Sequence, residues 1–288
     1  MCEHASRATA MPEPSPLATP TPWNLMASAY EAETVPTLRS FAEEALRLAA
    51  PPPGARLADV ACGPGTLALV AASAGFAVDA IDFSPQMIAL LEQTARERGV
   101  NGIHARVGDG QALPYPDGAH EAAFSLFGLM FFPDRARGFA ELRRILRPGA
   151  RAVVSSWQPM ERSRAISALF GALQQALPPD GSPPPQPPPL LTQEACRAEM
   201  GQSFDEVAVH PASNQVPFPS ATALWESMQR AAPPVVLARR RLGEEAWGTI
   251  APEVGSALAR SLGSGPVILD LHAWLMVGVA PERPRRSA

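Results

Sequence analysis

With 288 residues, 46% hydrophobic and 18% charged, the chain is long enough for one large α/β domain with an elaborated lid or for two small domains, and its composition excludes a disordered or fibrous protein. A formal net charge of −4 supplies no basic field for gripping a phosphate backbone, so nucleic acid is disfavoured as a partner. Cys2, Cys62 and Cys196 have neither the even count of a disulfide framework nor the spacing of a zinc site, and no stretch resembles a membrane span or a secretory signal, so a cytoplasmic protein with no membrane partner is expected.

Proline is abundant, at 33 residues, and is concentrated in two blocks. The first makes residues 1–22 an expected disordered tail, and the second, around 178–189, an expected linker. Residues 23–54 read as one or two cap helices, stopped by Pro51-Pro52-Pro53-Gly54. From there strands and helices alternate: strand 56–61, helix 66–74, strand 77–82, helix 85–98, strand 103–107, strand 122–127, helix 135–146, strand 151–157. Such a rhythm predicts a mostly parallel sheet covered on both faces. Helix 164–177, a helix near 192–201 and a strand near 204–210 ending at Pro211 complete a core over 55–218. A helical lid insert over 219–264, of two or three helices, precedes a final core strand within 265–282.

The strongest local signal is Leu57-Ala58-Asp59-Val60-Ala61-Cys62-Gly63-Pro64-Gly65-Thr66, an apolar strand turning through two glycines into a helix. Gly63 and Gly65 remove the Cβ atoms that would keep a ligand off the backbone, and the helix start at Thr66 presents unpaired N–H groups. A tight βα turn with no ligand fits the same residues. Asp82 closes the second strand, where a carboxylate accepts from two ribose hydroxyls; it or Ser84 equally suits capping of the helix at Pro85. Asp59 on the first strand suits an amino-acid ammonium group, which a dinucleotide site does not require. Gly108-Asp109-Gly110-Gln111 puts an acid after the third strand, where it can receive an adenine amino group or simply form a turn.

In that order and at those spacings, these residues resemble the class I S-adenosylmethionine-dependent methyltransferases, more closely their small-molecule, ubiquinone-biosynthesis-like (type 11) branch. The resemblance covers about residues 56–157. It extends to Phe124-Ser125-Leu126-Phe127-Gly128-Leu129-Met130-Phe131-Phe132-Pro133-Asp134 and to Arg144-Ile145-Leu146-Arg147-Pro148-Gly149, and departs at Ala150, where relatives often carry a third glycine. It implies a Rossmann-like seven-stranded sheet of order 3-2-1-4-5-7-6 with the last strand antiparallel. It further implies S-adenosyl-L-methionine as cofactor, bound by Tyr30, Asp59, Ala61, Gly63, Gly65, Asp82, Phe83, Met87, Gly108, Asp109, Gly110, Gln111, Ser125 and Phe127. Tyr30 resembles the aromatic that closes over the cofactor in relatives, and ordinary helix packing explains it as well.

The expected partner is a small-molecule methyl acceptor, hydrophobic or aromatic, in an apolar pocket built from Met130, Phe131, Trp157, Trp225 and Met228. A core role fits these side chains too. O-methylation is favoured, with nitrogen and carbon acceptors open. No general base is assigned, because each histidine suits surface or packing, and no carboxylate cluster suggests a metal. A fold relative with another activity such as a cyclase, or an NAD-dependent oxidoreductase, are the competing readings; the second lacks a Tyr-x-x-x-Lys pair in a chain without any lysine. The sequence specifies no oligomeric state.

Overall fold

The computed structural model describes residues 15–178 and 188–282. Seven strands, β1 (Arg56–Val60), β2 (Ala77–Asp82), β3 (Ile103–Val107), β4 (His120–Ser125), β5 (Leu146–Trp157), β6 (Asp205–Phe218) and β7 (Val267–Val279), form one sheet of order β3-β2-β1-β4-β5-β7-β6. Pairings from β3 to β5 are parallel, as the βαβ rhythm requires, whereas β7 runs antiparallel to both β5 and β6. The expected order and the antiparallel last strand are both observed.

Helices α1 (Pro20–Ala29), α2 (Val35–Ala49), α3 (Thr66–Ser73) and α4 (Pro85–Glu97) precede α5 (Arg135–Ile145), α6 (Arg164–Ala176), α7 (Gln193–Met200), α8 (Ala221–Ala231) and α9 (Pro233–Leu262). Leu57, Val78, Phe124 and Val153 project to one side of the sheet with Leu67 and Leu91; Ala58, Val60, Ala123 and Val154 project to the other with Phe139 and Leu142. Alternation along each strand thus feeds two separate cores.

Several elements differ from the sequence reading. Of the expected disordered tail, residues 1–14 lie outside the described residues, but a 3-10 turn at Pro16–Ala18 and helix α1 fold from Ser15 onward. Proline opens both, at first-turn positions where its fixed φ and missing N–H cost nothing. Most of the expected linker, 179–187, also lies outside the described residues. Strand β6 does not stop at Pro211 but continues to Phe218, paired with β7 throughout; it is an edge strand, where a proline can turn its missing donor away from the ladder. The fourth strand ends at Ser125 because Phe127 takes a left-handed backbone, φ 58°. Helix α6 packs on β7 and, with α8 and α9, forms a third cluster that includes Leu169, Trp225, Trp247, Leu258 and Leu269. A break at Gly243, φ 79°, divides α9.

At the sheet end away from the glycine turn, His120 is 0% exposed and its Nε2 lies 2.7 Å from Asp79 Oδ2, while Arg56 grips both Asp79 oxygens. Tyr115 packs edge-on against the imidazole. His120→Ala is expected to lower stability by about 1.5–3 kcal/mol, the scale of a hydrogen bond to a charged group. Urea unfolding at neutral pH checks this.

Candidate cofactor and acceptor site

The C-terminal ends of β1, β2, β3 and β4 open into a cleft with about 970 Å³ of atom-free space, part of it continuous with solvent. Open α/β sheets hold ligands at this edge, where the strand order reverses between β1 and β4. The turn after β1 builds its floor. Ala61 at φ 56° and Gly63 at φ 53° reverse the chain, Cys62 N–H donates to the Ile81 carbonyl at 3.1 Å, and Gly65 N–H to the Cys62 carbonyl at 3.0 Å. Gly63 has open space where a Cβ would stand, so its backbone is accessible from the cleft.

Asp82 stitches the two neighbouring turns together. Its carboxylate accepts from Gly63 N–H at 2.8 Å and from Ser84 N–H at 2.9 Å. Ser84, not Asp82, caps α4, accepting from Met87 N–H. Asp59, 2% exposed, accepts from Ala68 N–H in the first turn of α3 at 3.0 Å. Burial pushes the Asp59 carboxyl up to about 7 against the hydrogen bond from Ala68, and the charge of Asp82 adds to the rise. Burial likewise raises Asp82 to about 6, opposed by its two backbone donors. Neither carboxylate has a cationic partner among the described residues.

Across the cleft, Asp109 Oδ1 accepts from both the backbone and the side-chain nitrogen of Gln111, and Gln111 Oε1 accepts from Asp134 N–H. Asp109 therefore forms the turn that its Asp-Gly sequence allows, and still fronts the cleft. Phe127 holds its strained backbone through a 2.8 Å bond from its N–H to Ser155 Oγ, with its ring stacked on Trp157 at 4.1 Å.

Tyr30, Asp59, Ala61, Gly63, Asp82, Phe83, Met87, Gly108, Asp109, Gly110, Gln111, Phe127 and Phe131 all line this one cleft. Gly65 and Ser125 stand behind it: Gly65 starts α3, and buried Ser125 has no hydrogen-bond partner for its hydroxyl among the described residues. Four expected pocket residues do not face it. Met130 is buried beside Ser156, Trp157 backs Phe127, and Trp225 and Met228 belong to the α6/α8/α9 cluster, with the Trp225 indole donating to the Ala251 carbonyl.

The missing wall comes from the N-terminal segment. Leu17, Ala18 and Trp23 line the cleft, with the Trp23 indole 5.5 Å from Phe131 and 6.0 Å from Tyr30. Ser84 donates to Asn24, Thr94 donates to Glu31, and Arg230 pairs with Glu33, so this segment is fastened to α4 and α8. Trp23 falls at the start of the expected cap helices, directly after the proline block, and no local pattern marks it as facing a ligand. Burial and the nearby Asp82 charge push the Tyr30 hydroxyl well above the usual phenol range, so it stays protonated. No His or Arg lines the cleft among the described residues, no group of metal-ligating side chains occurs among them, and no helix is long and apolar enough to cross a membrane.

Residues 58–154 match the family model described as Methyltransferase domain. The chain is 39% identical over 106 residues to the demethylmenaquinone methyltransferase of Thermus thermophilus, covering 36% of this chain and 48% of that protein. It is 32% identical over 161 residues to the nocamycin O-methyltransferase of Saccharothrix syringae, covering 54% of this chain and 58% of the relative. An uncharacterized protein of Mycobacterium tuberculosis is 35% identical over 105 residues, covering 36% and 38%. The chain therefore spans between 38% and 58% of the length of these relatives. Among solved structures, the [4+2]-cyclase SpnF superposes with a TM-score of 0.59 at 17% identity, covering 93% of this chain and 98% of that one. The YcgJ protein of Bacillus subtilis superposes with a TM-score of 0.54 at 16% identity, covering 84% and 98%. Both likenesses concern the fold alone.

Proposed function

We propose, from the premise that residues 58–154 are a class I S-adenosylmethionine-dependent methyltransferase domain, that the chain transfers a methyl group from S-adenosyl-L-methionine to a small hydrophobic or aromatic acceptor, with oxygen the favoured atom. The observation that carries the reading is the pair of buried carboxylates, Asp59 and Asp82, facing one cleft without a cationic protein partner among the described residues. Such groups are costly unless a bound molecule brings positive charge or donors to them. An amino-acid ammonium beside Asp59 and ribose hydroxyls at Asp82 supply both.

The residues present fit this cofactor along its length. The Gly63 turn leaves room for a carboxylate-bearing end against the backbone, Phe83 and Met87 offer apolar contact to a base, and Asp109 offers an acceptor to its amino group. When bound, S-adenosylmethionine supplies a methyl group already activated by a sulfonium centre. This chain's own contribution is then positioning and exclusion of water, effects worth about 7–11 kcal/mol when reacting groups are well oriented. Trp23, Tyr30, Leu38 and Phe131 form an apolar wall suited to the acceptor. Protonated Tyr30 can donate a hydrogen bond but cannot take a proton. Among the described residues no His or Arg lines the cleft, and its carboxylates are in this reading engaged by the cofactor, so an acidic hydroxyl that ionises to water suits the site better than an alcohol needing a base.

The test is methyl transfer from labelled S-adenosylmethionine to a panel of phenols, enolic compounds, amines and aliphatic alcohols. Transfer to the acidic hydroxyl compounds is expected. Cofactor binding with no transfer to any class would favour a fold relative with another activity.

A further inference from the structure

The loop between β3 and β4, residues 108–119, carries Asp109 but has little backbone bonding of its own. Within it, Ala112 N–H donates to Asp109, and its ends are tied by Gly108 to Asp82 and by Gly118 to Arg144. Three further backbone groups of the loop are bonded from outside, by two side chains of α5. Arg144 Nη2 donates to the Leu113 carbonyl at 2.9 Å, and Nη1 to the Tyr115 carbonyl at 2.7 Å and to Asp117 Oδ1 at 2.8 Å. Glu141 accepts from Leu113 N–H at 2.7 Å and holds Arg144 through Nε at 2.6 Å and Nη2 at 2.8 Å. The five donors of the guanidinium fork are thus all used, three of them on the loop. The Glu141 bond keeps the Arg144 guanidinium well above its ordinary range, and Arg144 holds Glu141 below the usual carboxylate range. Neither residue lines the cleft.

We propose that Arg144, braced by Glu141, is a positioning residue that aims Asp109 at the amino group of the bound adenine, and so sets selectivity at that end of the site. The proposal rests on the assignment of Asp109 given above. Leu113 and Tyr115, the residues whose backbone is gripped, are buried and fix the loop's far side; Asp109 lies between that side and the tie of Gly108 to Asp82, with Gln111 held also by Asp134 N–H. A lysine at 144 would offer a single point charge and could not span two carbonyls and both oxygens of Glu141.

The test compares S-adenosylhomocysteine with S-inosylhomocysteine, in which a carbonyl oxygen replaces the amino donor, by calorimetric titration. The intact protein is expected to prefer the adenosyl compound by about tenfold or more, the scale of a hydrogen bond to a charged group. Arg144→Gln and Arg144→Lys are expected to reduce that preference to less than about threefold, as a lost charge-assisted bond would. Should Arg144→Gln not fold, Glu141→Gln, which keeps the shape and removes the brace, is expected to reduce it in the same direction. A variant that binds both compounds more weakly but keeps the preference overturns the proposal, because a merely structural role would do that. No preference in the intact protein overturns it through Asp109, and no binding of either compound traces the failure to the proposed function itself.

Discussion

Replacing Gly128 with alanine is expected to destabilise the protein by about 1–3 kcal/mol, the usual cost of overpacking a filled core, and to weaken S-adenosylhomocysteine binding by about tenfold or more as the turn is displaced. Gly128 has an ordinary backbone, φ −108°, so the constraint is space and not conformation. A Cβ there would overlap the Cβ of Ala61 and come within 3.5 Å of Ser125 Oγ. Ala61 cannot rotate away, since its side chain has no rotamers and its backbone is already left-handed at φ 56°. Relief therefore needs backbone movement of the Gly128 segment or of the Ala61 turn, and that turn carries Gly63 N–H, which Asp82 holds. Gly171→Ala in α6 is the control: no atom lies within 4 Å of the added methyl, and alanine favours the helix. Thermal melts and calorimetry on the two variants separate a local steric cost at the site from a generic effect of glycine replacement.

The second large effect concerns pH. Asp59 has a folded-state value raised to about 7 from an ordinary 3.8, so the stability linked to it is fully present below the ordinary value and is lost as pH rises through about 7. Asp82, raised to about 6, acts in the same direction. The ligand-free protein is therefore expected to carry a penalty that grows from about pH 4 to about pH 8, on the order of 4 kcal/mol for Asp59 at the upper end. Asp59→Asn removes that penalty and keeps an acceptor for Ala68 N–H, so the variant's melting temperature should rise relative to the parent as pH increases. Asp79, lowered to about 2 by His120 and Arg56 against its own burial, acts oppositely, but only in acid below this window. Saturating S-adenosylhomocysteine should flatten the slope in the parent, because an ammonium beside Asp59 favours its charged form. Parallel pH profiles for parent and variant would contradict this electrostatic account of the site.

Local signals that report on backbone geometry carried furthest in the sequence. The Gly63 and Gly65 turn, the acid ending β2 and the Asp-Gly pair after β3 each mark a place where the chain reverses beside an open edge, and all of them converge on one cleft. The strand order followed from family likeness, since periodicity alone does not choose among parallel arrangements. What sequence could not convey was which apolar side chains face a ligand and which face each other. Trp225 and Met228 have the composition of a pocket wall, yet α6 and α9 surround them. The prolines just before Trp23 suggest a tail, yet they open the 3-10 turn and the helix that bring Trp23 to the cleft. Strand β6 passes Pro211 and Pro217 because only one of its edges is paired. The Arg144 clamp was visible as part of a motif, but its role depends on carbonyls of a loop from Leu113 to Asp117, a long-range relation that no local pattern encodes.

The cleft is proposed to receive S-adenosylmethionine through Asp59, Asp82 and Asp109. Calorimetric titration of the protein with S-adenosylmethionine, S-adenosylhomocysteine and NAD, side by side, tests it most directly. Micromolar binding of the two sulfur nucleosides with no binding of NAD is the expected result. Binding of NAD alone would contradict the account.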